Sequence, residues 1–180
     1  MGPLELLGHP VRLRVVHALR GGRTLTTTQL AELIPDVSKA TLYRHVDLLA
    51  DGGILEVAEE ERVRGAVQRH YRLRQDRASI DPAVASTLTP DDHRQGFAAA
   101  TAALLAEFNA YLDRDETDVT KDPIGYLQHA IWLTDAELHT MIEALRAAIV
   151  PNLTNKSTPT RRRYLLSPIL FPAEDHPSTG

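Results

Sequence analysis

The order of apolar and polar positions in the first half of the chain predicts three short helices. Apolar residues recur at helical spacing from Val11 to Leu19, from Leu30 to Ile34 and from Leu42 to Leu49. Gly21-Gly22 follows the first stretch and Pro35 the second, and both residue types end helices. The second and third helices are therefore joined by the tight turn that a helix-turn-helix motif requires.

Two strands are predicted after the third helix. Ile54 to Ala58 and Gln68 to Leu73 are strand-like, and the polar stretch between them contains Gly65, which favours a turn. The pair Thr24-Leu25 is long enough only for an edge strand. Helix, short strand, helix, turn, helix and hairpin together form a winged helix-turn-helix domain, which we assign to residues 1–75.

A second, helical region is predicted over residues 89–172, after a linker at residues 76–88. Its first helix begins at Thr89, a capping residue followed by Pro and two Asp residues. A capping box at Thr134 opens a further helix, which Pro151 ends.

Shorter elements are predicted within and after that region. They are a short helix over residues 125–133, a short C-terminal strand from Tyr164 to Phe171, and a disordered tail over residues 173–180. The predicted fold class is thus mainly α, with a small β-hairpin wing.

Composition and charge narrow the function. The net charge is −4, but residues 1–80 carry 12 basic and 10 acidic side chains, whereas residues 81–180 carry 8 and 14. Six arginines lie between Arg62 and Arg77. This asymmetry is typical of a nucleic-acid-binding segment joined to another region, although ordinary solvated surfaces also produce it.

Several function classes are excluded or disfavoured by residues that the chain lacks. With no cysteine, it has no disulfides, no Cys-ligated zinc and no thiol catalysis. No phosphate-binding Gly-rich loop, Gly-x-Ser-x-Gly or His-Glu-x-x-His motif occurs, so we expect no enzyme, no catalytic residues and no cofactor. Without an 18-residue apolar run or a secretory signal, a cytoplasmic protein with no membrane contact is expected.

The third predicted helix carries the clearest candidate chemistry. Burial of Leu42, Val46 and Leu49 would turn the polar residues of its N-terminal half outward. A helix that reads DNA needs hydrogen-bonding groups there, because that half enters the major groove. The candidates for DNA contact are Ser38, Lys39, Thr41, Tyr43, Arg44 and His45. Whether Arg44 contacts a guanine edge or a phosphate stays open.

Residues of about 4–75 resemble the winged-helix DNA-binding domain of ArsR-type and related bacterial transcriptional regulators. The resemblance lies in Leu7-Gly8-x-Pro10-x-Arg12-Leu13-Arg14, in Ser38-x-x-Thr41-x-x-Arg44-His45, and in the hairpin that ends at Leu73. It implies a homodimer on double-stranded DNA, most often a repressor, with one recognition helix in each of two major grooves.

The same resemblance implies contacts by the wing and by the second helix. Arg62, Arg64 and Arg69 are the candidates on the wing, and Thr27 and Gln29 are candidates for phosphate contacts at the start of the second helix. The acidic run Glu59-Glu60-Glu61 would repel phosphate at the wing tip, so we expect it near the end of a strand.

The second region also resembles actinobacterial-type winged-helix regulators, through Asp91-Asp92-His93-x-x-Gly96-Phe97 and Trp132-Leu133-Thr134-Asp135-x-Glu137. This implies a part for dimerisation or effector response. A seam with heptad-like spacing and nearby ring residues make up the candidates: Phe97, Thr101, Leu104, Phe108, Tyr111, Tyr126, His129 and Trp132. Intrachain core, a dimer interface and a pocket for a small organic effector all remain open.

Two other functions were weighed. A metal-responsive regulator using His and Asp ligands is suggested by Asp91-x-His93, but the second pair of ligands that such a site needs is absent, and no metal is expected. A winged helix that binds protein would expose apolar residues on its third helix, whereas Lys39, Arg44 and His45 favour DNA.

Overall fold

The computed structural model describes residues 3–63, 65–74, 76–77, 86–115 and 117–173. Its helices are α1 (Pro3–Leu7), α2 (Pro10–Leu19), α3 (Thr27–Leu33), α4 (Lys39–Asp51), α5 (Pro90–Leu112) and α6 (Asp135–Ile149), followed by a 3₁₀ turn at Val150–Asn152. The strands are β1 (Thr24–Thr26), β2 (Leu55–Val63) and β3 (Ala66–Leu73). The predicted order of helix, strand, helix, turn, helix and hairpin is confirmed.

The three strands form one antiparallel sheet in the order β1-β3-β2, with β1 at an edge. The hairpin is longer than predicted, because β2 continues through the polar stretch that was expected to separate the two strands. Glu59, Glu60 and Glu61 pair in register with His70, Arg69 and Gln68 of β3. Glu60 and Arg69 carry opposite charges directly across the two strands, which favours continued pairing, so the polar stretch predicted between the strands is mostly strand.

Capping side chains fix where the helices begin. The Thr26 hydroxyl accepts a hydrogen bond from the Gln29 backbone N–H, and the Gln29 side chain accepts one from the Thr26 N–H. Ser38 caps α4 through the Thr41 N–H, and Thr89 opens α5 with a second capping box. The predicted start of α5 at Thr89 is confirmed.

The core of the N-terminal part lies where α2, α3 and α4 meet the sheet. Its most deeply buried apolar side chains, each at most 2% exposed, are Val15, Val16, Leu19, Leu30, Ile34, Leu42, Val46, Leu49, Ile54 and Leu55. Gly53 has φ +72°, a conformation that glycine adopts without strain, and it turns the chain from α4 into β2.

The chain divides into two compact units, residues 1–117 and 118–180. Helix α5, predicted to open the second region, belongs to the first unit, because Ala99 and Ala103 bury a small-residue face against α2. The predicted domain boundaries stay a prediction. Most of the predicted linker, residues 78–85, lies outside the described residues.

In the second unit, none of the described residues is buried. Helix α6 begins at its predicted capping box at Thr134. The helix predicted over residues 125–133 was wrong, since that stretch is irregular and has no capping residue at Gly125. The strand from Tyr164 to Phe171 was also wrong: Pro168 interrupts it, and no described segment pairs with it.

Two further expectations concern the chain ends and the membrane. The predicted disordered tail lies outside the described residues, except for residue 173. Within the part of the chain that the structure describes, no helix is both long and apolar enough to span a membrane.

Candidate nucleic-acid interface

Helix α4 presents a polar face to solvent along its N-terminal half. Lys39 is its first residue and is exposed, as is Arg44, and the Tyr43 side chain is 37% exposed. Within the described residues, neither Lys39 nor Arg44 takes part in an ion pair. Both cations are therefore available to an anionic partner, at the end of the helix that a major groove would receive.

The two hydroxyl candidates on α4 bond to each other. The Ser38 hydroxyl donates to Thr41 Oγ1 at 2.9 Å and accepts from the Thr41 backbone N–H at 3.3 Å. These bonds hold the first turn of α4 in place. Both side chains are thus partly engaged, and their first effect is to fix the backbone that carries Lys39.

A groove of about 580 Å³ lies between the start of α3, the exposed face of α4 and the hairpin. Three of the predicted contact residues, Thr27, Tyr43 and Arg69, line it together. Sequence reasoning missed the other lining residues, which are Thr28, Asp47, Val63, Val67, Gln68 and Tyr71. The alternation of β3, which turns every second side chain to one face, was the signal that would have found Val67 and Tyr71 beside Arg69.

Gln29 is exposed, but its side-chain oxygen accepts the Thr26 N–H at 2.9 Å. The capping box thus occupies the side-chain acceptor of Gln29, which a phosphate would not use, because phosphate oxygens need a donor. Only the amide N–H groups of Gln29 remain to bond a phosphate, beside the half-buried Thr27.

The basic residues of the hairpin are mostly paired with acidic residues of the neighbouring strand. Arg69 Nε lies 3.0 Å from Glu60 Oε1. Glu56 accepts a hydrogen bond from Arg72 at 2.5 Å and forms a longer ion pair with Arg74 at 3.6 Å. The acidic run therefore lies inside β2 beside β3, in the half of the strand that leads to its end at Val63.

The other two wing candidates are Arg62 and Arg64. Arg62 is exposed and, in the stretch of β2 that the structure describes, forms no ion pair. Arg64 lies outside the described residues. Of the two predicted wing cations that the structure describes, Arg62 is thus the one without an ion pair.

His45 is not at the surface, and its prediction as a DNA contact was wrong. Its side chain is 4% exposed, and its ring lies 4.3 Å from that of His9, centroid to centroid. Burial, followed by the nearby His9, Arg12 and Arg44, lowers the pKa of His45 to about 4. Its position, three residues after Leu42 and four before Leu49, is the spacing of the buried stripe.

The predicted seam on α5 faces away from the core. Phe97 is 51% and Phe108 36% exposed, Thr101 is exposed, and Leu104 and Tyr111 are half-buried. The buried face of α5 is instead formed by Ala99 and Ala103, roughly half a turn away around the helix. The interpretation of the seam as intrachain core was therefore wrong.

The remaining ring candidates belong to the second unit and are exposed. Tyr126 is 83% and Trp132 71% exposed, and His129 is exposed as well. None of them contributes to a buried core in that unit. Among the described residues, no group of three or more His, Asp and Glu side chains is placed to hold a metal ion.

Comparison with known proteins adds one match. Residues 7–58 match a family model described as a helix-turn-helix domain, and this span runs from the end of α1 through α4 into β2. No curated protein matches the chain. The match supports a DNA-binding helix-turn-helix regulator and covers less than half of the chain.

Proposed function

We propose that the protein is a sequence-specific DNA-binding transcriptional repressor of ArsR-like type, which acts in the cytoplasm of a bacterium as a homodimer on a palindromic operator. The observation that carries the proposal is the exposed face of α4, where Lys39 and Arg44 stand without counter-ions among the described residues. This face lies within the span that matches a helix-turn-helix domain.

The recognition step follows from the position of α4. Its N-terminal half enters the major groove, where Arg44 bonds a guanine edge or a phosphate and Lys39 bonds a phosphate. Tyr43 and Thr27, which share the groove beside the hairpin, lie where the sugar-phosphate backbone would pass. Arg62 adds a cation from the wing.

Dimerisation is proposed through the parts of the chain that expose apolar side chains. Leu105 and Leu112 of α5 are 60% and 43% exposed, and the second unit exposes Leu166 and Ile169 at 68% and 51%. Exposed apolar surface of this extent is typical of protein interfaces. A small organic effector that bound this region and favoured the DNA-free form would release the operator.

The test is selection of genomic DNA fragments by the purified full-length protein at near-physiological salt, followed by sequencing. A two-fold symmetric site with half-sites about one helical turn apart is the expected result. A folded protein that enriches no sequence would contradict the proposal and leave the helix-turn-helix domain as a protein-binding module. Light scattering on the same sample measures whether the chain is a dimer.

A further inference from the structure

Arg14 is a buried cation whose guanidinium reaches two other elements of the first unit. It lies on α2, and its side chain is 2% exposed. Its Nη1 and Nη2 atoms donate to the two carboxylate oxygens of Asp36 at 2.6 and 2.7 Å. Its Nε lies 3.5 Å from Oε1 of Glu107 on α5. Asp36 belongs to the turn between α3 and α4, three residues before the first residue of α4.

We propose that Arg14 is a positioning residue for the recognition helix, and that Glu107 makes this positioning depend on α5. The proposal rests on the function proposed above, because positioning matters here only if α4 reads DNA. Arg14, Asp36 and Glu107 would thus affect sequence recognition without contacting DNA themselves.

The turn is held by its own backbone bonds and by apolar packing. Among the described residues, its backbone bonds run from Ile34 N to Leu30 O, from Val37 N to Ile34 O and from Leu42 N to Ser38 O, and none of these reaches α2. Ile34 lies in the core and Val37 packs against it. The two parallel bonds from Arg14 to Asp36 tie the turn to α2. A bidentate pair restrains orientation as well as distance, and a reading helix must be held within about 0.5 Å and 10–20°.

The contact with α5 is looser and more easily changed. The Glu107 side chain is 17% exposed, and its 3.5 Å contact with Nε is an ion pair without hydrogen-bond geometry. A shift of α5 along α2 would move this carboxylate away and leave the Arg14 guanidinium with Asp36 as its remaining ion-pair partner among the described residues. Losing the Glu107 carboxylate removes one negative charge beside the Arg14–Asp36 ion pair, which holds the turn.

The test compares three substitutions in the full-length protein, each of which removes one negative charge: Asp36→Asn, Glu107→Gln and the control Glu32→Gln. Glu32 is an exposed residue of α3 that forms no ion pair among the described residues. Affinity is measured by fluorescence anisotropy for the selected operator and for an unrelated duplex. Simple electrostatics predicts that all three changes strengthen binding to both duplexes.

The proposal predicts the opposite sign for two of them. Asp36→Asn should weaken operator binding on the order of tenfold and Glu107→Gln by about threefold, while affinity for the unrelated duplex stays equal or rises. Glu32→Gln should leave operator affinity equal or slightly higher. In the double substitution Asp36→Asn/Glu107→Gln, the two losses should not add, because both act through Arg14.

Thermal unfolding of each variant separates positioning from folding. If Asp36→Asn fails to fold, Glu107→Gln, which removes a single partly exposed contact, decides the question alone. Variants that melt earlier but bind the operator as the control does would overturn the proposal and leave Arg14 a purely structural residue. A wild-type protein that selects no operator would instead refute the proposed function.

Discussion

The recognition helix and the wing both carry basic side chains in the sequence, but in the structure they differ in whether those side chains form ion pairs. On α4, Lys39 and Arg44 have no ionic partner among the described residues. On the hairpin, Arg69 and Arg72 are held by Glu60 and Glu56 of the adjacent strand. The number of arginines on the wing therefore overestimates how many are free to contact DNA phosphates.

The difference has an energetic consequence. Exposed ion pairs contribute only about 0–1 kcal/mol, so a phosphate can displace Glu60 from Arg69. The displaced carboxylate nevertheless stays close to the phosphate and repels it. The helix should thus supply most of the affinity and nearly all of the sequence discrimination, and the wing should add little.

The largest effect is expected from the helix side. Replacing both Lys39 and Arg44 with Ala should reduce operator affinity about 100-fold, since a base contact is worth about 1–3 kcal/mol and a lost phosphate contact adds to it. The preference for operator over unrelated DNA should disappear. Anisotropy titrations of both duplexes measure this, and an unchanged preference would mean that α4 does not read DNA.

The inner face of the same helix gives a prediction about pH. The pKa of His45 is about 4 in the folded protein and about 6.5 for an ordinary histidine, so the unfolded chain binds a proton first as the pH falls. Stability contributed by neutral His45 is complete above pH 6.5 and is lost toward pH 4. The loss reaches up to about 3 kcal/mol.

This loss can be measured by thermal unfolding between pH 7 and pH 4. His45→Leu should flatten the fall of the melting temperature over that range. His139→Leu, which replaces an exposed histidine of α6, should leave the fall as it is in the wild type. Equal slopes for all three proteins would show that the pKa of His45 is not lowered in the folded protein.

The contrast between helix and wing also shows what the sequence could predict. The spacing of Leu42, Val46 and Leu49 was enough to place α4 and its polar face, because one apolar stripe determines both. His45 lies within the same spacing, but because histidine is polar it was predicted to be on the exposed face. Local pattern thus predicted the helix and misjudged one residue at the edge of its buried stripe.

The wing and the second region were harder, because their states depend on residues distant in sequence. Glu60 and Arg69 are neighbours only after β2 and β3 pair, and no local pattern specifies that register through an acidic run. The seam on α5 was apolar enough to suggest burial. Alanines on the opposite face allow α5 to approach α2 closely. Which face of α5 is buried depends on the shapes of both helices.

A smaller effect is expected when two wing arginines are compared. Arg62→Gln should weaken binding to operator and unrelated DNA alike, by about threefold, and should reduce the salt slope by nearly one unit, as the loss of one phosphate contact does. Arg69→Gln should change both quantities less, because Glu60 already offsets its charge. Equal effects would mean that the pairing seen on the hairpin does not persist on DNA.

The smallest effect tests the pairing from the acidic side. Glu60→Gln removes the partner of Arg69, and Glu59→Gln removes a neighbouring charge of β2 that is paired in register with His70. Both variants lose one negative charge from adjacent residues of β2. If pairing restrains Arg69, Glu60→Gln should tighten binding to unrelated DNA about twofold more than Glu59→Gln and should steepen the salt dependence. Identical gains would mean that only net charge matters, and the wing would then differ from the helix in the number of its charges and not in their pairing.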